Sequence, residues 1–209
     1  LSMNVSQSSS KENSLINNTF LILSDDRYNR NIINKNDFKN TVIIIDKSNS
    51  FMRIIRLLLK RKLDLILVFK MVCAELYRKK STLEKKVSII QTNQDLIKLY
   101  STFKPENIYL FRTSLILRGK ILESDVNLYN IHCASLPDFG GLGAINRAIN
   151  ERKFNQNATM HVVSEKVDEG LIIDIEQLEL DEKLSYRKNQ EISFDAGLTM
   201  LKRHLINKD

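Results

Sequence analysis

Glycine is scarce in this chain, and its absence from the first half decides what the chain cannot be. The 209 residues hold six glycines and two prolines, and no glycine precedes Gly119. A dinucleotide fingerprint or a P-loop needs glycine directly after an early strand, because backbone must approach phosphate there. The early apolar run here passes instead into Ser24-Asp25-Asp26. A nucleotide cofactor at the N-terminal end is therefore excluded. Only two cysteines occur, Cys73 and Cys133. They rule out a disulfide scaffold and a four-cysteine zinc site, and they predict a reducing compartment such as the cytoplasm.

The charge balance is modest: 32 Lys and Arg against 25 Asp and Glu give +7, spread along the chain. Such an excess suits a phosphate-bearing partner without requiring one. No membrane span is expected, because Asp64, Lys70 and Glu75 interrupt the most apolar stretch. Residues 1–18 are rich in Ser and Asn and read as a polar arm, with Met3 the natural start and no signal peptide. Residues 19–209 are expected to form a single α/β domain.

Hydrophobic patterning supplies the organisation. Phe20 to Leu23, Thr41 to Asp46, Val87 to Gln91 and Asn107 to Phe111 are short apolar runs bounded by polar residues, hence buried strands. Helical patterns separate them over Tyr28 to Phe38, Ser50 to Lys80 and Gln94 to Phe103, the last with Asn93 as its expected N-cap. In the middle region apolar residues lie on both faces. That predicts one long helix or a helical pair packed into the core, with Leu65 to Phe69 also compatible with a strand. Val126 to His132 is a fifth strand, and Ile145 to Arg152 is a helix. Ala158 to Ser164 and Leu171 to Leu180 are two further strands, and Ser185 to Ile206 is a closing helix. The alternation predicts an open, mostly parallel, twisted sheet with helices on both faces.

Three of the six glycines fall between Gly140 and Gly143, just after the fifth strand. A site is expected there, beyond the carboxyl end of a strand in an open α/β sheet. Asn130 and His132 are two apart, so on a strand they share a face. An amide donor can hold an oxygen on which charge develops, and an imidazole can exchange a proton near pH 7. Asp168, in the loop before Gly170, could set the state of that imidazole. Spacing alone leaves the plainer reading open and even favours it: a strand-end amide, a satisfied histidine and a turn carboxylate. Cys133 is adjacent to His132 and so points to the other face, which suits a small core cysteine better than a nucleophile. His161 and His204 show no ligand spacing, so no metal is expected.

Several segments in order narrow the choice. Asn130-Ile131-His132 leads into Leu136-Pro137 and a Gly-rich loop, followed by Arg147-Ala148-Ile149, Thr159-Met160-His161 and Asp168-Glu169-Gly170. Together they resemble the folate-dependent formyltransferase family. The specific part covers Leu110 to Leu180; the earlier half resembles the family only in strand–helix order. The resemblance implies a formyltransferase-like sheet, 10-formyltetrahydrofolate as formyl donor, and transfer to a primary amine. By motif position it implies a catalytic trio of Asn130, His132 and Asp168. It also implies that backbone groups of Ser114, Leu115, Ile116 and Leu117, and of Val163 to Asp168, hold the donor's pterin.

The departures bear on the acceptor. The family's glycinamide ribonucleotide enzymes hold a substrate phosphate on a Gly- and Ser-rich first loop, whereas Ser24-Asp25-Asp26-Arg27 offers two carboxylates. The Leu-Pro loop lacks the Arg often found before its Gly. The short stretch after the last strand leaves no room for a tRNA-binding domain, so no nucleic acid is expected. The leading expectation is a nucleotide-linked amino sugar as acceptor, feeding surface polysaccharide synthesis, with a homodimer implied by sugar-acting relatives. Glycinamide ribonucleotide formylation in purine synthesis is the alternative, and a non-catalytic formyltransferase-like binding module is a third.

Overall fold

Every strand of the first half is apolar at consecutive positions, and a strand of that kind must be covered on both sides. The computed structural model describes residues 19–48, 51–60 and 65–206. The polar arm expected over residues 1–18 lies outside them, as do Arg61 and Lys62. In the described residues the strands are β1 (Thr19–Ser24), β2 (Thr41–Asp46), β3 (Ser88–Ile90), β4 (Asn107–Phe111), β5 (Asn127–His132), β6 (Asn155–Val162) and β7 (Ile172–Glu179). They form one sheet in the order β3-β2-β1-β4-β5-β6-β7. The pairs from β3 to β5 are parallel, and β6 and β7 are added antiparallel.

Alternation along each strand sorts the core into two layers. Leu21, Leu23, Tyr109, Phe111 and Ile131 point one way, where α1 (Arg27–Lys35) and α6 (Tyr186–Ile206) pack through Ile32, Ile33, Met200 and Leu201. Phe20, Ile22, Ile108, Leu110 and Leu128 point the other way, against Leu96 of α4 (Asn93–Phe103) and against Leu117 and Ile121. Fully burying one such side chain stabilises the fold by about 1.5–3 kcal/mol. Asn130 and His132 continue the second face of β5 past the end of its apolar residues. That is how the strand's period of two carries polar groups to the sheet's rim.

Two local expectations are corrected. The cap of α4 is Thr92, which accepts from Asp95 N while the Asp95 carboxylate accepts from Thr92 N. Asn93 is the first helical residue, and its amide is used elsewhere: Nδ2 donates to Ile116 O at 3.0 Å and Oδ1 accepts from Arg118 N at 3.1 Å. The middle region is a helical pair, α2 (Phe51–Leu59) and α3 (Leu65–Tyr77), with Leu65 to Phe69 helical. It is not packed into the core on both faces, since only Leu67 and Ala74 of α3 are buried. The remaining helix, α5 (Ala144–Asn150), follows the Gly-rich loop. No helix among the described residues is long and apolar enough to cross a membrane.

Candidate active site

A cavity of about 640 Å³ opens at the carboxyl ends of β1, β2, β4 and β5, a volume that suits a small-molecule site. It is lined by Ser24 to Asp26, Asp46, Arg112 to Leu117, Asn130 to Cys133, Gly141 to Ile145 and Val163. Met71 and Glu75 of α3 and Gln190 and Phe194 of α6 complete one wall.

At its centre three sequence-distant side chains meet. Register places Asn130 opposite His161 and His132 opposite Thr159 across the antiparallel β5–β6 pair. The connection from β6 to β7 then folds back over this rim. Asp168 adopts a φ of 60°, and its Oδ2 accepts from Gly141 N at 2.7 Å. Its carboxylate thereby sits 3.5 Å from His132 Nδ1 and 3.6 Å from His161 Nε2. Asn130 Nδ2 lies 3.0 Å from His161 Nε2 and donates to Asp168 Oδ1 at 3.4 Å. The structure thus brings Asn130, His132 and Asp168 together and adds His161.

Hydrogen bonding assigns the ring states. Phe139 O lies 2.7 Å from His132 Nε2, and a carbonyl only accepts, so Nε2 carries the proton. Val162 O is likewise 3.0 Å from His161 Nδ1, so that nitrogen donates to it, and His161 Nε2 faces both Asn130 and Asp168. Burial pushes the His132 pKa below the usual histidine value, against the opposing pull of Asp168 and the Phe139 carbonyl. A neutral His132 therefore presents a bare Nδ1 toward the carboxylate. Burial pushes Asp168 up, but the His161 and His132 rings and the Gly141 N–H outweigh it and hold the carboxyl at about 2. The result is a fixed anion beside a neutral base, with an amide donor on the same face.

A family model described as formyl transferase matches residues 39–191. The chain belongs to the formyl transferase family. A phosphoribosylglycinamide formyltransferase from Anaplasma phagocytophilum has a TM-score of 0.60 and 16% identity, over 87% of this chain and 81% of that one. A sugar N-formyltransferase from Shewanella has a TM-score of 0.55 and 17% identity, over 90% and 68%. A formyltetrahydrofolate deformylase from Pseudomonas syringae has a TM-score of 0.56 and 16% identity, over 91% and 61%. At such identities these likenesses concern the fold. No curated protein sequence matches significantly.

In this formyltransferase the Ser114–Leu117 segment lines the cavity, as does Val163. Part of its backbone is already engaged. Asp46, buried at the end of β2, accepts from Ser114 N at 2.6 Å, Leu115 N at 2.8 Å and Ser48 N at 2.7 Å. Asn93 holds the Ile116 carbonyl, so the strap is pinned at both ends. Asp46→Ala strands three backbone donors and is expected to lower the free energy of unfolding by about 3 kcal/mol. Asp46→Asn keeps an acceptor oxygen and should cost less; urea titration of both variants checks this.

The first loop is self-occupied. Asp26 caps α1 by accepting from Asn29 N at 2.9 Å and pairs with Arg112 at 3.1 Å. Glu75 Oε1 accepts from Arg27 N at 2.8 Å. Two carboxylates therefore hold the N-terminal amides of α1, where an anion would otherwise bind. Asp25 is paired with Arg30 at 2.7 Å, a bond that lowers its pKa against the effect of burial. Cys133 faces the α6 side, and burial pushes its thiol up to about 12, which disqualifies it as a nucleophile.

Sequence reading gave three contributors no role in the site. His161 could have been found from the register, since antiparallel pairing of β5 with β6 sets it opposite Asn130. Arg147 donates to the carbonyls of Gly140 and Leu142 and holds the Gly-rich loop. Its signal was membership of the Arg147-Ala148-Ile149 segment that carries the resemblance, which names no role for it. Asp46 carried no signal at all, because the groups it binds lie far along the chain.

Proposed function

We propose that this formyltransferase moves a formyl group from 10-formyltetrahydrofolate to the primary amine of a nucleotide-linked amino sugar. The observation that carries formyl transfer is the meeting of Asn130, His132 and Asp168 at one point of the cavity. The acceptor amine attacks the formyl carbon, and negative charge develops on its oxygen. Asn130 Nδ2 donates to that oxygen, giving up its long 3.4 Å contact with Asp168 and keeping the shorter one to His161. The bare Nδ1 of His132 takes the proton that the attacking amine loses, and the imidazolium so formed lies against the Asp168 carboxylate. Collapse breaks the bond to the folate nitrogen, which takes the proton back from the His132 imidazolium as it leaves and so restores the neutral base. The pinned strap of Ser114 to Leu117, with Val163, flanks the space for the pterin.

One observation supports the acceptor class. The α1 amides are taken by Asp26 and Glu75, so the first loop offers no ready cradle for the phosphate of glycinamide ribonucleotide.

The test is incubation with 10-formyltetrahydrofolate and a panel of amines, read by a mass gain of one formyl group. A nucleotide-linked amino sugar should be formylated while glycinamide ribonucleotide is not. The reverse result sinks the acceptor proposal. Release of formate with every acceptor unmodified marks hydrolysis and sinks the transferase reading.

A further inference from the structure

Helix α3 repeats one apolar spacing on two opposite sides. Leu67, Met71, Ala74 and Arg78 follow steps of four, three and four. Leu67 and Ala74 are buried, and Arg78 donates to Gln190 of α6. Leu65, Phe69, Val72 and Leu76 follow the same steps about half a turn round. They are 73%, 69%, 52% and 63% exposed, an unusual amount of contiguous apolar surface.

We infer that this outward face of α3 packs against the same face of a second copy across a two-fold axis. Three observations favour a copy over other occupants. First, the spacing is that of a knobs-into-holes helix seam, and it is self-complementary. Antiparallel pairing about the point between residues 70 and 71 sets Leu65 over the partner's Leu76 and Phe69 over the partner's Val72. Second, the face carries no charge. The charged residues within α3 are Lys70 and Glu75, and they turn back to Asn146, Arg27 and Arg78 of their own chain. A helix that lies on a lipid surface needs a strongly charged opposite face, whereas the opposite face of α3 is buried on α6. Third, the area suffices. With Ile66 and Tyr77 at the margins, six side chains of roughly 100 Å² each offer roughly 600 Å² per copy. That approaches the ~800 Å² per partner of a standard interface. Because Met71 and Glu75 on the inner side of α3 line the cavity, the second copy also braces a wall of the active site.

Sedimentation equilibrium of the full chain at micromolar concentration tests this inference, which stands apart from the choice of acceptor. The protein should be a dimer. Phe69→Asp should weaken association at least ~100-fold with an unchanged circular dichroism spectrum. Ile175→Asp, on the exposed apolar surface of β7, should leave the dimer intact. Mixing Phe69→Asp with Val72→Lys chains should restore a heterodimer, which a misfolded variant could not do. A monomeric parent, a dimer indifferent to Phe69→Asp, or a dimer broken by Ile175→Asp overturns the inference. So does a monomer that sediments with anionic lipid vesicles.

Discussion

Asp168→Asn and His132→Asn are each expected to lower kcat roughly 1,000-fold while the chain stays folded. In Asp168→Asn the remaining carbonyl oxygen still accepts from Gly141 N, so the loop keeps its anchor and only the charge is lost. Without that charge the imidazolium that forms during proton removal has no counter-ion in a buried site. The two residues act as a unit, so the double variant should be little worse than either single one. Acidity separates their roles. Because burial holds the His132 pKa below its ordinary value, kcat/KM should persist in acid past the usual histidine midpoint of about 6.5 before it falls. Asp168→Asn removes a group that raises the His132 pKa, so the residual activity should fall at still lower pH. Stability carries a second signature. A carboxyl held at about 2 rather than 3.8 stabilises the fold by about 2 kcal/mol above pH 3.8. That contribution is lost as pH falls from 3.8 toward 2. Urea unfolding at pH 7 should therefore find Asp168→Asn weaker by about that amount, and the gap should close in acid. A full-rate variant would remove its residue from the chemistry.

The strands were legible because their burial is local in the sequence. Thr41 to Asp46 and Asn107 to Phe111 have the expected bounds, since apolar residues at every position mean a strand covered on two faces. Helix limits were less so. The helix expected to reach Phe38 ends at Lys35, where Asn36 turns extended and its N–H bonds back to Ile32 O. Phe38 is buried all the same, so its apolar character reported on the core and not on helix length. The middle region failed for a deeper reason. Apolar residues on both faces of α3 say that both want cover, but nothing in one chain's sequence says whether the cover is its own core or another copy.

The site divides in the same way. Asn130 and His132 share a face by strand period alone, and the Gly-rich loop beside them marks where backbone must bend. The place of Asp168 depends on the β6–β7 connection folding back across the rim, which motif order implied and composition could not. Asp46, Asn93 and Arg147 hold strap and loop by bonds to backbone. Backbone partners have no side-chain identity to read, so this support was invisible until the chain was folded.

The return of that connection makes Gly170→Ala the second large effect. A Cβ on Gly170 would lie 1.7 Å from Val162 O and 3.2 Å from His161 Nδ1, where carbon–oxygen contact needs about 3.4 Å or more. The clash is with backbone, which no rotamer change relieves. Either the Val162 carbonyl retreats, and His161 loses the bond that fixes its proton on Nδ1, or the loop lifts and carries Asp168 off His132. Both outcomes misplace the reacting groups by an ångström or more, a displacement that costs about 100-fold in rate. Turnover should fall by at least that factor, although no group that touches substrate has been altered. Gly140→Ala is the matched control. It adds the same methyl closer to the chemistry, but its nearest neighbour is Asp168 Cβ at an ordinary 3.5 Å, so its rate should change little. The His161 ring resonances in an NMR spectrum should move in Gly170→Ala and stay in Gly140→Ala. Equal activity in the two variants would mean that Asp168 reaches His132 by some support other than this tight crossing.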